Sequence, residues 1–169
     1  VDKEGQTRPL VAKEEKIVVT GKTPADFVSG GITPMQSASL LLILVAGISI
    51  YGIRRGKTLW GIDLILFLIA GIAGCILAFL ALFSQHPAVS PNYILFVFHP
   101  FHLFCLPFML SRVRKREISR YMLVDFAVLT LFIGLWTIIP QRIPPAVLPL
   151  ALCLLIRSAS NLILTYKRK

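Results

Sequence analysis

The chain has 169 residues, 56% of them hydrophobic and only 15% charged, with a formal net charge of +10 and a mean hydropathy of +0.76. A soluble domain carries about 25% charged and about 45–50% apolar residues, so the surplus of apolar side chains must face something other than water. This composition excludes a disordered chain, a collagen-like chain and a disulfide-stapled secreted module, and it points to a polytopic membrane protein.

The chain starts at Val1, and residues 1–31 lack the basic, apolar and small-residue pattern of a secretory signal. A polar stretch standing directly before an apolar span predicts a fragment, the C-terminal part of a longer polypeptide. Residues 10–20 are rich in β-branched side chains and end at a turn through Gly21 and Pro24, which predicts one or two strands. A lone hairpin is marginal in water, so residues 1–34 are expected to complete a sheet in an upstream domain. Gly30, Gly31 and Pro34 form the hinge into the first span.

Crossing a bilayer takes about 20 apolar helical residues. Five runs qualify: 35–53, 59–83, 92–110, 121–139 and 146–166. The expected fold is therefore an all-α membrane bundle of about five transmembrane helices over 35–169, preceded by a short extramembrane β segment. His99, Pro100, His102 and Pro107 interrupt the third run, which reads either as a kinked span or as a re-entrant hairpin.

The charge distribution sets the orientation. Residues 1–34 hold five basic and five acidic residues, whereas the remaining 135 hold 13 basic and 3 acidic. Eleven of those 13 (Arg54, Arg55, Lys57, Arg112, Arg114, Lys115, Arg116, Arg120 and the terminal Lys167, Arg168 and Lys169) fall on one side of the five spans. The opposite loops contribute only Arg142. Cytoplasmic loops carry the Lys/Arg excess, so the N-terminus is expected outside and the C-terminus inside. The basic clusters lie between apolar runs and lack interleaved aromatics, which argues against a nucleic-acid partner.

Cys75, Cys105 and Cys153 all lie inside spans, without the paired spacing of a disulfide or zinc site. No catalytic nucleophile motif appears. His99 and His102 share a helical face, but Pro100 stands between them and the sequence offers no obvious third ligand, so neither a metal nor a cofactor is expected. Four polar residues lie within apolar runs: Asp63, Asp125, Arg157 and Asn161. A charge at the bilayer centre costs at least about 2.5 kcal/mol, and Arg157 can reach inward to the depth of Asp63 or Asp125. These four are read as a structural ion-pair set. In the outer loop, His86 would sit at the membrane surface, Asn92 can cap the third span and Tyr93 suits an aromatic belt.

Asp63 within the run from Trp60 to Phe67, then Gly71 and Gly74, His86, Asn92, Tyr93 and Pro100, together resemble the C-terminal membrane region of Lnb-type bacterial lipoprotein N-acyltransferases. Ile94 departs from that pattern, which has a second Asn there. The resemblance implies an inner-membrane enzyme that moves an acyl chain from a glycerolipid to the α-amino group of a lipoprotein's first cysteine. Its nucleophile would lie in a periplasmic domain of the same polypeptide, upstream of Val1, with residues 1–34 periplasmic and no catalytic residue in this chain. The implied partners are that domain, the phospholipid acyl donor and the lipoprotein substrate, with His86, Asn92 and Tyr93 contacting the donor. The alternative is a non-catalytic membrane anchor or assembly subunit; a transporter fits poorly because repeat symmetry is missing.

Overall fold

The computed structural model describes residues 31–84 and 92–167. The expected N-terminal strands and His86 lie outside the described residues. The bundle begins with α1 (Pro34–Arg55) and α2 (Trp60–Phe83). A 3-10 turn (Tyr93–Phe96) follows, leading into the short α3 (Phe101–Phe104) and α4 (Leu106–Lys115). The last two helices are α5 (Arg120–Gly134) and α6 (Val147–Tyr166).

Local chemistry explains the helix ends. Thr33 and Gln36 close a reciprocal capping box with Pro34 in the first turn of α1, which satisfies two otherwise orphaned amides. The helix ends on Gly56 at φ 63, with Arg54 and Arg55 in its last turn, a left-handed stop that glycine adopts without steric cost. Leu59 starts α2 from φ 48 without a side-chain cap. The α1–α2 turn is therefore held from elsewhere: the Arg157 guanidinium donates to the Thr58 carbonyl at 2.9 Å.

Large apolar side chains point outward along the helices. Leu82, Phe108 and Ile43 are each more than two-thirds exposed, the inverse of a soluble helix and the signature of a lipid-facing one. Buried Phe67, Val97, Met109, Met122, Leu129 and Ala151 form the interior. Of the three helices long and apolar enough to span, α6 is 61% buried along its apolar window, against 22% for both α1 and α2. It packs on α1 and α5 and forms the central post of the bundle.

One span shows the interruption read from the sequence, and another departs from the sequence reading. The third run is broken, and its two parts meet at 78°. Pro100 precedes α3 and Pro107 sits in the first turn of α4, where each lacks an amide for a continuous helix. The broken segment lies against two glycines of α2: a Cβ on Gly71 would meet the Leu103 amide at 2.6 Å, and one on Gly74 the His99 carbonyl carbon at 2.5 Å. Such small residues allow close backbone approach in membranes. The fourth run, expected over 121–139, is helical only over Arg120–Gly134 and continues as turns. Hydropathy registers apolarity and is blind to where the helix stops.

Candidate functional site

Two polar clusters lie inside the bundle. In the first, Arg157 of α6 is 1% exposed and Asp63 of α2 is fully buried. The guanidinium donates from Nε to Asp63 Oδ1 at 2.6 Å and from Nη2 to Oδ2 at 3.0 Å, a bidentate fork. Nη1 donates to Ser49 Oγ of α1 at 3.0 Å, and Asn161 Nδ2 donates to Asp63 Oδ2 at 3.0 Å. One side chain thus ties together α1, the α1–α2 turn, α2 and α6. A buried charge left unpaired costs several kcal/mol, which is why every element around Arg157 turns a polar group toward it.

Asp125 is not part of this set. It faces the second cluster, where its Oδ2 accepts from Ser158 Oγ at 2.6 Å. Its place on α5 aims the carboxylate toward the broken segment instead. There His102, fully buried, donates Nε2–H to the Val97 carbonyl at 2.8 Å. This bond satisfies non-helical backbone that lipid could not and assigns the tautomer, leaving Nδ1 to accept from the Tyr121 hydroxyl at 2.6 Å. The His99 and His102 rings stack with centroids 3.9 Å apart, and the edge of Phe67 meets His102 at 5.2 Å. Asp125 Oδ1 lies 3.9 Å from both His99 Nε2 and His102 Nδ1. Among the described residues, Oδ1 and His99 Nδ1 have no hydrogen-bond partner.

Asp125 supplies the third ligand-type residue missing from the sequence reading, since His99, His102 and Asp125 offer atoms within 4.8 Å of one another. The arrangement is a poor start for an ion, however. Tyr121 already occupies His102 Nδ1, and the imidazole planes lie only 17° apart, so their in-plane lone pairs run alongside each other. The geometry instead makes a buried network of donors and acceptors around one carboxylate. Sequence reasoning missed Ser49, Tyr121 and Ser158. The i, i+4 spacing of Tyr121 and Asp125 was the available signal.

The cluster reaches lipid through His99 and Tyr121, which line a lateral groove of about 590 Å³ otherwise walled by apolar side chains and Cys105, with Arg120 at one end. Asn92 accepts from the Ile94 amide at 3.2 Å and so caps the 3-10 turn. Tyr93 is half-buried, with its amide bonded to Gln141 of the α5–α6 loop at 2.8 Å and its ring stacked on Phe96. Among the described residues, Asn92 and Tyr93 belong to neither polar cluster.

No match was found among curated proteins or solved structures. The family model labelled 5TMH and described as the Lnb transmembrane domain matches residues 26–169. Its label names five helices, whereas three of the described helices are long and apolar enough to span, or four if the bent pair counts as one. With a bundle held by buried polar groups and clad in outward apolar side chains, the chain belongs to the Lnb transmembrane-domain family.

Proposed function

We propose that this chain is the membrane half of a lipoprotein N-acyltransferase of the bacterial inner membrane. It anchors a periplasmic catalytic domain that precedes it and presents the phospholipid acyl donor, with the N-terminus periplasmic and the C-terminus cytoplasmic. Membership of the Lnb transmembrane family carries this reading. The division of labour agrees with it. His102 is engaged by the Val97 carbonyl and the Tyr121 hydroxyl rather than by a thiol or a serine, and the activated nucleophile that acyl transfer needs would come from the upstream domain. The proposed role of His86, Asn92 and Tyr93 is to hold the donor ester and headgroup where the third segment begins.

The test is mass spectrometry of lipoprotein N-terminal peptides from cells carrying the full-length protein or its variants. His86→Ala and Asn92→Ala are each expected to lower N-acylation about tenfold, the effect of one lost hydrogen bond to the reacting lipid, at unchanged protein abundance. Full acylation in both variants would remove the donor-site role. The second reading, a non-catalytic anchor, is favoured by the Arg157 network, which ties three segments together in the manner of scaffolding. It predicts loss of function only through loss of protein, when Asp63 or Arg157 is changed.

A further inference from the structure

The α4–α5 turn carries more positive charge than its own structure uses. Arg114 stacks over the Trp60 ring at 3.7 Å and Arg116 donates to the Gly56 carbonyl, so both are engaged by the α1–α2 end of the bundle. Arg112 is neutralised by Glu117 at 2.6 Å. Arg120 is exposed at the start of α5 and, among the described residues, has no carboxylate or carbonyl partner. It projects into a cavity of about 850 Å³ whose other charged lining groups are the Arg112–Glu117 pair and Lys115, with the Ser111 and Ser119 hydroxyls beside them. This lining carries a net positive charge.

The cavity does not end at the turn. Arg120 and Tyr121 also line the apolar groove, which continues along α5 past Val124 to Val128 between walls that include Phe96 and Phe101. From Arg120 to Val128 the helix rises about 12 Å. A basic, hydroxyl-lined chamber and a hydrocarbon-lined groove thus adjoin at one shared pair of residues, the polarity sequence of a single phospholipid. Basic pockets between helices at the positively charged face of a membrane protein suit anionic headgroups.

We propose that this composite cavity holds one anionic glycerophospholipid, with its phosphate on Arg120 and one acyl chain lying along α5. Its headgroup chamber is at the basic end of the bundle, and its apolar groove reaches Phe96, on which Tyr93 stacks. It is a resident-lipid site and does not rest on the acyltransferase reading. Electrostatics selects the headgroup, since a zwitterionic lipid brings its own cation into a chamber that already has an excess.

Native mass spectrometry tests this on the full-length protein released from phosphatidylcholine nanodiscs doped with phosphatidylglycerol. One phosphatidylglycerol is expected to be retained per chain, at least about tenfold above its share of the bilayer, a preference of the size one desolvated charge contact supplies. Arg120→Gln should reduce retention to that share. Val124→Trp, at a position 59% exposed, should fill the groove and also release the lipid. Arg55→Gln, at the end of α1, should leave retention unchanged. Among the described residues Arg120 has no carboxylate or carbonyl partner, so its loss does not threaten folding. Equal retention of both lipids, or undiminished phosphatidylglycerol on the Arg120→Gln variant, would overturn the proposal. So would displacement of the lipid by millimolar glycerol phosphate, which would make this a free-phosphate site.

Discussion

Arg157 shows how a single residue can organise a membrane bundle. Its guanidinium satisfies a carboxylate, a hydroxyl and a loop carbonyl from three different segments. Removing one partner of such a pair costs about 3–5 kcal/mol, whereas replacing both by apolar groups is often neutral. Asp63→Leu alone is therefore expected to lower the unfolding free energy by about that amount in detergent titration, with much of the loss recovered in the Asp63→Leu/Arg157→Met double variant. A double variant as unstable as the single would mean that packing, not charge, dominates there. That Arg157 needed a partner was legible in the sequence, because a charge in an apolar run cannot stay bare. Which carboxylate it takes was not, since Asp63 and Asp125 were both within its expected reach.

The contact between α2 and the broken third segment is an element-scale feature with a sharp steric signature. A methyl group on Gly74 would strike the His99 backbone at 2.5 Å, while one on Gly61 of the same helix meets nothing within 4 Å. Gly74→Ala is expected to destabilise the bundle by about 1–3 kcal/mol through overpacking, and Gly61→Ala to stabilise it by about 0.5–1 kcal/mol through helix propensity. Thermal unfolding of the two variants side by side checks both signs; equal behaviour would show that the segment is not seated on α2. The break itself was foreseeable from Pro100 and Pro107, which remove amide donors. Its 78° bend was not, because that depends on where α2 is thin enough to receive the chain. The shortness of α5 was hidden for a different reason: residues 135–139 are as apolar as a helix would be, yet they form turns.

For the whole molecule, the decisive quantity is the asymmetry of charge between the two ends of the bundle. The proposed orientation predicts that, in a background with Cys75, Cys105 and Cys153 replaced by alanine, the Arg142→Cys variant reacts with a membrane-impermeant maleimide in intact spheroplasts. Lys57→Cys and Lys167→Cys should react only after lysis. The opposite pattern would invert the bundle and place the basic cavity on the outer surface. The charge bias could be read directly from loop composition. The His102–Tyr121–Asp125 cluster could not, because it joins residues from two segments whose meeting depends on the break.

The burial of α6 has a consequence for biosynthesis. Arg157 is made 94 positions after Asp63, and at about 5–20 residues per second the carboxylate waits roughly 5–20 s before its partner leaves the ribosome. Throughout that interval α1 and α5 lack the helix on which they pack, whereas α2 can already seat the broken third segment. The passes on either side must be inserted first and joined only when α6 arrives. Closure of this bundle is therefore a late event, timed by translation of the helix at its centre.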